Sequence, residues 1–121
     1  MEGKTIRSFD FTKIFYQYHQ GTTPHTLVFL HGVGGNWTVW KKEIEYFKKK
    51  GYSIIALDLR GHGLSGAPKK FKKYQLYRFT MDVYRILQKE RIKNFSLVGH
   101  SIGGAIIINY CMRYKNRQPH S

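Results

Sequence analysis

The amino-acid sequence predicts an α/β fold in which a mostly parallel sheet is connected by crossover helices. Three short apolar runs, at residues 26–31, 53–58 and 95–98, have the near-continuous hydrophobicity of strands that are buried on both faces. A segment with apolar residues at helical spacing follows each run, and this alternation of strand and helix is typical of a parallel sheet. Residues 1–121 are therefore interpreted as one domain, or part of one, of this class.

Two more strands and the first helix surround the first buried run. Apolar and polar side chains alternate weakly at residues 5–11 and 13–19, which predicts two early strands. The first helix is expected after Asn36, because asparagine caps helix N-termini. It is expected to end at Gly51, because glycine readily adopts the left-handed conformation found after a helix.

The second and third helices are expected at residues 76–87 and 102–114. The third is apolar nearly all round, which is the pattern of a helix buried on all sides. The strand at 95–98 would lie at the sheet edge, and the polar residues 115–121 are expected to form a disordered tail. With nothing to cover these surfaces, the isolated chain is expected to unfold partly or to self-associate through the exposed strand edge.

The chain is strongly basic, with 21 Lys and Arg against 7 Asp and Glu and a formal net charge of +14. Lysine clusters occur at residues 48–50 and 69–73, the second interrupted by Phe71. Such a charge attracts polyanions whatever the fold is, but a solvated basic face also accounts for it. No stripe of alternating aromatic and basic residues of the kind that stacks bases is evident, so nucleic acid is not the expected partner.

The predicted location is the cytoplasm. Cys111 is the single cysteine, so no disulfide can form within the chain, and a reducing compartment is the default. The longest apolar runs, at residues 27–30 and 105–108, are far too short to cross a bilayer. The first twenty residues lack the apolar core of a signal peptide.

A candidate nucleophile follows the last buried strand, where the pattern G-x-S-x-G opens the third helix as a nucleophile elbow requires. The sharp turn would hold Ser101 in a strained conformation and project its hydroxyl. Gly99 and Gly103 lack the Cβ atoms that would collide across the turn, and Gly104 is expected to give the helix further room against the sheet. The alternative is an ordinary turn in which Ser101 caps a helix. The motif comprises Gly99, His100, Ser101, Ile102 and Gly103.

A glycine-rich loop after the first buried strand predicts an oxyanion hole. Acyl transfer needs two backbone N–H donors on the developing oxyanion. Ile102, the residue after the nucleophile, would supply one, and Val33 is the candidate for the other. The alternative is a flexible loop that only turns the chain. The loop comprises His31, Gly32, Val33, Gly34 and Gly35.

Neither a dinucleotide site nor a metal site is predicted. Residues 61–66 match G-x-G-x-x-G after a strand, and Asp82 lies about twenty residues further on, as the dinucleotide fingerprint requires. However, a proline and a lysine run separate these glycines from the next helix, and Asp82 falls within that helix. His31, Asp58 and His100 end buried strands, but paired histidines on a helix and Cys-x-x-Cys are absent. No cofactor is expected.

Three blocks, at residues 30–35, 58–65 and 99–104, together resemble the α/β-hydrolase superfamily and look like its esterase, lipase and peptidase branch. The resemblance implies that Ser101 is the nucleophile and that Val33 and Ile102 are the oxyanion donors. Serine at this position disfavours the branches that use aspartate (epoxide hydrolases, haloalkane dehalogenases) or cysteine (dienelactone hydrolases). The other residues of the blocks are expected to be structural: His31, Gly32, Gly34, Gly35, Asp58, Arg60, Gly61, His62, Gly63, Gly99, His100, Gly103 and Gly104.

The triad acid and histidine follow the nucleophile along the chain in this fold. After Ser101 the sequence contains no Asp or Glu and only one histidine, His120, which a helix at 102–114 would carry away from the elbow. The chain is therefore expected to be the N-terminal part of a serine hydrolase for a small ester or acyl substrate, inactive alone because a serine without a base is a weak nucleophile. Two alternatives stay open: a non-catalytic binding protein on this scaffold, and a basic polyanion-binding module.

Overall fold

Five strands form one mixed sheet in the computed structural model, which describes residues 1–121. The strands β1 (Glu2–Arg7) and β2 (Lys13–His19) pair as an antiparallel hairpin, whereas β3 (His25–Leu30), β4 (Ser53–Leu57) and β5 (Asn94–Gly99) run parallel to one another. Their order is β1-β2-β4-β3-β5, and β2 is antiparallel to β4. The predicted α/β class is confirmed, and the carboxyl ends of the three parallel strands share one edge of the sheet.

Three helices, α1 (Lys41–Lys49), α2 (Leu76–Lys89) and α3 (Ile102–Arg113), cover the two faces of the sheet. Because side chains alternate along a strand, β3 contributes to a separate core on each side. Leu27 and Phe29 pack in the core that contains the α1 residue Ile44. Val28 and Leu30 belong to the larger core that α2 and α3 complete. The sheet is thus the middle layer of three.

The first helix begins later than the sequence predicts. Residues Trp37–Trp40 form a 3₁₀ turn, and the α-helix starts only at Lys41. Asn36 does act as a cap, since its Oδ1 accepts from the Thr38 N–H at 2.9 Å, but it caps the 3₁₀ turn. Gly51 follows α1 with φ of +91°, so the predicted glycine stop is confirmed.

The first strand also ends earlier than the alternation at residues 5–11 predicts. After Arg7 the chain turns back, and the turn is closed by hydrogen bonds from the Ser8 N–H to the Thr12 carbonyl and from the Phe11 N–H to the Ser8 carbonyl, both at 2.9 Å. Phe11 has φ of +67° in this turn. The weak alternation of apolar and polar residues continues through this turn, so the pattern alone does not show where the strand ends.

Residues 115–121 lie against the sheet, whereas their polar composition predicts a disordered tail. The His120 N–H donates to the Phe95 carbonyl at 2.7 Å, and the Leu97 N–H donates to the Ser121 carbonyl at 2.8 Å, so this segment runs beside β5 in the same direction. The Arg117 guanidinium also donates to the Ile92 carbonyl at 2.6 Å. Backbone groups make both hydrogen bonds to β5, and composition carries no information about them.

Only one face of α3 is buried, although its composition predicts burial on all sides. Ile106 and Tyr110 are fully buried, whereas Ile108 and Met112 are 66% and 67% exposed. The strand β5 lies at the sheet edge, as predicted. None of the helices combines the length and the apolar character needed to cross a membrane.

Candidate active site

Ser101 occupies the sharp turn between β5 and α3. Its backbone has φ of +59° and ψ of −121°, a conformation that non-glycine residues adopt only under constraint. Although Ser101 stands at the N-cap position of α3, its side chain makes no capping hydrogen bond. The interpretation of Ser101 as a helix-capping residue therefore fails, and the exposed hydroxyl is available for chemistry.

The two motif glycines permit this turn by steric means. A Cβ atom on Gly99 would lie 2.6 Å from the carbonyl carbon of Gly103, which is the predicted collision across the turn. A Cβ on Gly103 would lie 2.5 Å from the Leu30 carbonyl oxygen, so this glycine lets the helix approach β3. The expectation for Gly104 is wrong: a Cβ there would meet no atom within 4 Å, because Gly104 faces away from the sheet.

The glycine-rich loop after β3 lies directly against the elbow. A Cβ on Gly32 would be 3.2 Å from the Ser101 Cβ and 3.0 Å from His100 Nδ1. Val33, which is 74% exposed, and Ser101 line the same open pocket of about 250 Å³. The Val33 N–H donates to no other group of the protein. Ile102 is the first residue of α3, where an N–H has no intrahelical acceptor.

Two histidines, His31 and His62, hold this loop in place through hydrogen bonds. His31 Nε2 accepts from the Leu59 N–H at 2.9 Å, so its Nδ1 carries the proton and donates to the Gly32 carbonyl at 2.7 Å. Burial lowers the pKa of His31 and keeps it in this neutral form. His62 Nε2 accepts at 3.0 Å from the N–H of Gly34, whose φ is +83°. Their bonds tie the β3 loop to the loop after β4.

The Asp58 carboxylate connects the same two loops by accepting a hydrogen bond from each. Its Oδ1 accepts from the Trp37 N–H at 2.8 Å, and its Oδ2 accepts from the Leu64 N–H at 2.9 Å. Gly63 has φ of +50°, and a Cβ there would collide with the Asp58 carboxylate. No three His, Cys, Asp or Glu side chains in the structure are placed to hold a metal ion together.

A buried ion network around Arg60 was not foreseen from the sequence. The Arg60 guanidinium donates to Asp82 Oδ2 at 2.8 Å, to Asp82 Oδ1 at 2.6 Å and to Asp10 Oδ2 at 2.8 Å, and Ser8 Oγ donates to Asp82. The Asp82 carboxylate is therefore occupied by Arg60 inside the protein, and this agrees with the prediction that Asp82 does not bind the ribose of a dinucleotide. One signal could have revealed the network. Asp82 lies on the apolar face of α2 beside Val83, where a buried charge requires a partner.

Residues 25–120 match the family model described as alpha/beta hydrolase fold. The elbow, the glycine loop and the three parallel strands β3, β4 and β5 lie within this match. The chain therefore belongs to the α/β-hydrolase family.

Several proteins of known sequence or structure are similar to the chain. Protein ABHD8 of Bos taurus is 36% identical over 93 residues, which are 77% of this chain and 21% of the relative. Epoxide hydrolase 3 of Xenopus tropicalis is 30% identical over 94 residues, 78% of this chain and 25% of the relative. The structure of an esterase, EaEST from Exiguobacterium antarcticum, superimposes with a TM-score of 0.89 at 28% identity, over 98% of this chain and 42% of the esterase. The chain thus spans about a fifth to two fifths of the length of these proteins.

Proposed function

We propose that Ser101 is the nucleophile of a serine hydrolase that cleaves a carboxylic ester or related acyl bond. The backbone conformation of Ser101 is the observation that carries this proposal. A serine at φ of +59° costs conformational energy, and its hydroxyl makes no structural hydrogen bond in return. A hydroxyl that is presented to a substrate would account for both the strained backbone and the absence of a hydrogen bond.

The reaction would follow the double displacement of serine hydrolases. Ser101 Oγ attacks the acyl carbon and gives its proton to a base, and the carbonyl oxygen becomes an oxyanion. The N–H groups of Val33 and Ile102 would bind that oxyanion. The tetrahedral intermediate expels the alcohol, which takes up the proton, and water then releases the acid from the acyl-enzyme by the same route in reverse. No cofactor is needed for any of these steps.

His120 is not placed to serve as the base. Its backbone pairs with Phe95 near the start of β5, whereas Ser101 follows the end of that strand. Six residues of extended chain separate the two sites by about 20 Å. We therefore propose that residues 1–121 alone turn over an ester very slowly, at the level that an oxyanion hole without a base supports.

An ester substrate is preferred over an epoxide because of the nucleophile. Relatives of the chain include both esterases and epoxide hydrolases. By the family resemblance, epoxide opening uses an aspartate at the position that Ser101 occupies. A serine is suited to acyl transfer, in which the oxyanion pocket beside it stabilises the charge.

A fluorophosphonate probe tests the proposal in the longest open reading frame that contains these residues. We expect the probe to label the wild-type protein and not Ser101→Ala. In a reading frame that also encodes the acid and the histidine of the triad, we expect ester turnover to fall about 10⁶-fold in that variant. Ser96→Ala is the matched control, because Ser96 lies on β5, the strand that leads into the elbow, and is buried away from the elbow.

Two results would contradict the assignment. Labelling that persists in Ser101→Ala would place the nucleophile elsewhere. A folded wild-type protein with neither labelling nor ester turnover would favour a non-catalytic binding role on the hydrolase scaffold.

A further inference from the structure

Two neighbouring loops at the carboxyl edge of the sheet expose phenylalanines among lysines. The β1–β2 turn and the segment between β4 and α2 line one open groove of about 500 Å³. Phe11 and Lys13 line the groove, and residues 69–72 connect two of its other lining residues, Pro68 and Lys73. Six phenylalanine and lysine side chains of these segments are exposed. We call them the aromatic–lysine patch: Phe11, Lys13, Lys69, Lys70, Phe71 and Lys72.

The two phenylalanines of the patch contribute nothing visible to the core. Phe71 is 94% exposed and Phe11 is 80% exposed. Phe11 also holds φ of +67°, where glycine or asparagine would sit with far less strain. A strained backbone that displays an apolar ring to solvent points to a role outside the fold, because neither feature stabilises it.

Asp10 fixes the two loops against each other. Its carboxylate accepts from Arg60 at 2.8 Å and from Arg78 at 3.1 Å, and the Lys73 ammonium lies 3.7 Å away. The Lys73 carbonyl accepts from Arg60 at 2.8 Å, so one guanidinium holds both loops. The phenylalanines are therefore presented from anchored loops, which limits the entropy lost on binding.

The charge of the patch is positive without compensation. Asp10 is the single carboxylate that lines the groove, and two arginines already neutralise it. The patch lysines form no salt bridge within the protein. Arg7 adds a further positive charge at the rim, where it donates to the Phe11 carbonyl at 3.2 Å.

We propose that the aromatic–lysine patch binds the surface of an anionic lipid bilayer. Apolar rings surrounded by lysines match the boundary between acyl chains and charged headgroups, where both kinds of side chain are stabilised. Phe11 and Phe71 would enter that boundary while the lysines remain at headgroup level. Lysine favours this diffuse electrostatic contact, whereas arginine, with its planar fork, is the usual residue for recognising nucleic-acid phosphates.

The sheet topology places the patch on the same edge as Ser101. The β1–β2 turn precedes β2, which is antiparallel to β4, so the turn lies at the carboxyl end of β4. Ser101 follows the carboxyl end of β5, three strand positions from β2. At about 4.8 Å per strand the separation across the sheet is roughly 14 Å. A bilayer bound at the patch would face the edge at which the elbow opens.

Sedimentation with vesicles tests the proposal without any turnover, so its outcome is independent of the proposed acyl transfer. We expect the chain to bind vesicles of equal parts phosphatidylserine and phosphatidylcholine and to bind pure phosphatidylcholine far less. Replacing Lys69, Lys70 and Lys72 together by glutamine should weaken binding roughly a hundredfold. Phe71→Ser should weaken it about tenfold, because one exposed ring no longer enters the interface.

The control variant also loses three lysine charges, but outside the patch. Replacing Lys42, Lys49 and Lys50 on and after α1 by glutamine should leave vesicle binding within a fewfold of wild type, and circular dichroism should confirm that every variant folds. Equal losses for the two lysine triples would overturn the patch in favour of net charge. Unchanged binding by Phe71→Ser, or tighter binding of a single-stranded DNA oligonucleotide than of the anionic vesicles, would also overturn it.

Discussion

At the scale of single residues, the backbone around Ser101 is where sequence and geometry agree most closely. The motif predicts a strained serine between two glycines that must lack a Cβ, and the structure has all three. The motif does not predict that Gly104 faces open space, because the direction of a Cβ depends on how α3 packs on β3. Nor does the sequence predict the positive φ of Phe11, because glycine and asparagine, the residues that usually adopt it, are absent from this turn.

Two adjacent glycines of α3 should respond to alanine in opposite ways. Gly103→Ala would force a Cβ against the Leu30 carbonyl and should lower the free energy of unfolding by about 2 kcal/mol. Gly104→Ala meets no atom and should raise it by about 0.5–1 kcal/mol, because alanine loses less backbone entropy in a helix. Urea denaturation followed by circular dichroism measures both. Equal effects of the two variants would contradict the close contact between α3 and β3.

The strain at Ser101 should also appear as lost stability. Ser101→Gly removes the steric cost of a positive φ, whereas Ser101→Ala retains it and removes only the hydroxyl. We expect the glycine variant to be more stable than the alanine variant by about 1 kcal/mol, measured by the same denaturation. A glycine variant that is the less stable of the two would mean that the turn is relaxed.

At the scale of elements, hydrophobic periodicity predicts which segments are strands and helices, and contacts between distant segments set their limits. The three buried strands fall within a residue or two of the predicted runs. The first helix starts late because Trp37–Trp40 wind as a 3₁₀ turn, and β1 stops early because a hydrogen-bonded turn follows it. His120 and Ser121 pair with β5 through main-chain groups, which every sequence possesses.

The exposed side of α3 should govern self-association of the isolated chain. Ile108 and Met112 lie one turn apart on α3, which follows the edge strand β5, and both are mostly exposed. Replacing both by lysine should shift the chain towards monomer in sedimentation velocity, because the apolar strip is interrupted. The control replaces Leu64, in the loop after β4, and Tyr46, on α1, together by lysine, because both are exposed and the added charge is the same. Equal shifts for the two changes would mean that added charge alone is responsible.

At the scale of the whole molecule, scarce acidic residues hold distant parts of a basic chain together. Asp10 and Glu90 are two of only seven carboxylates. Burial alone would raise the pKa of Asp10, but hydrogen bonds from Arg60 and Thr12 outweigh it and the pKa lies well below its usual value. Burial likewise opposes the shift at Glu90, where bonds from Lys4 and Tyr16 lower the pKa. Pairings across 50 to 86 residues were beyond prediction, because no local pattern encodes them.

These depressed pKa values predict acid sensitivity. A carboxylate with a lowered folded-state pKa stabilises the protein fully above its unfolded pKa of about 4, and the contribution is lost as the pH falls below that value. We expect the free energy of unfolding to drop as the pH is lowered from about 5 to 2. Measuring thermal unfolding across that range tests this, and a flat profile would contradict the bonding of these carboxylates.

The variant Asp10→Asn should show how much of the acid sensitivity comes from the ion pair between Asp10 and Arg60. The variant leaves the buried Arg60 with one carboxylate in place of two and should cost about 3 kcal/mol of unfolding free energy at neutral pH. It should also flatten the acid profile. Glu45→Gln, at an exposed position of α1, removes a charge of the same sign and should change neither. If the two variants had the same unfolding free energy and the same acid profile, Asp10 would not stabilise the protein through Arg60.

The position of β1 has a consequence for synthesis on the ribosome. This strand pairs in the sheet only with β2, and α2 anchors it through bonds from Ser8 to Asp82 and from Lys4 to Glu90, which are 74 and 86 residues further along the chain. The hairpin is complete at His19, so at about 5 to 20 residues per second the anchors at Asp82 and Glu90 are made roughly 3 to 14 s after it. A hairpin closes in microseconds but is barely stable alone. The strand β1 is therefore anchored only after α2 and Glu90 have been made, and the pace of translation sets that delay.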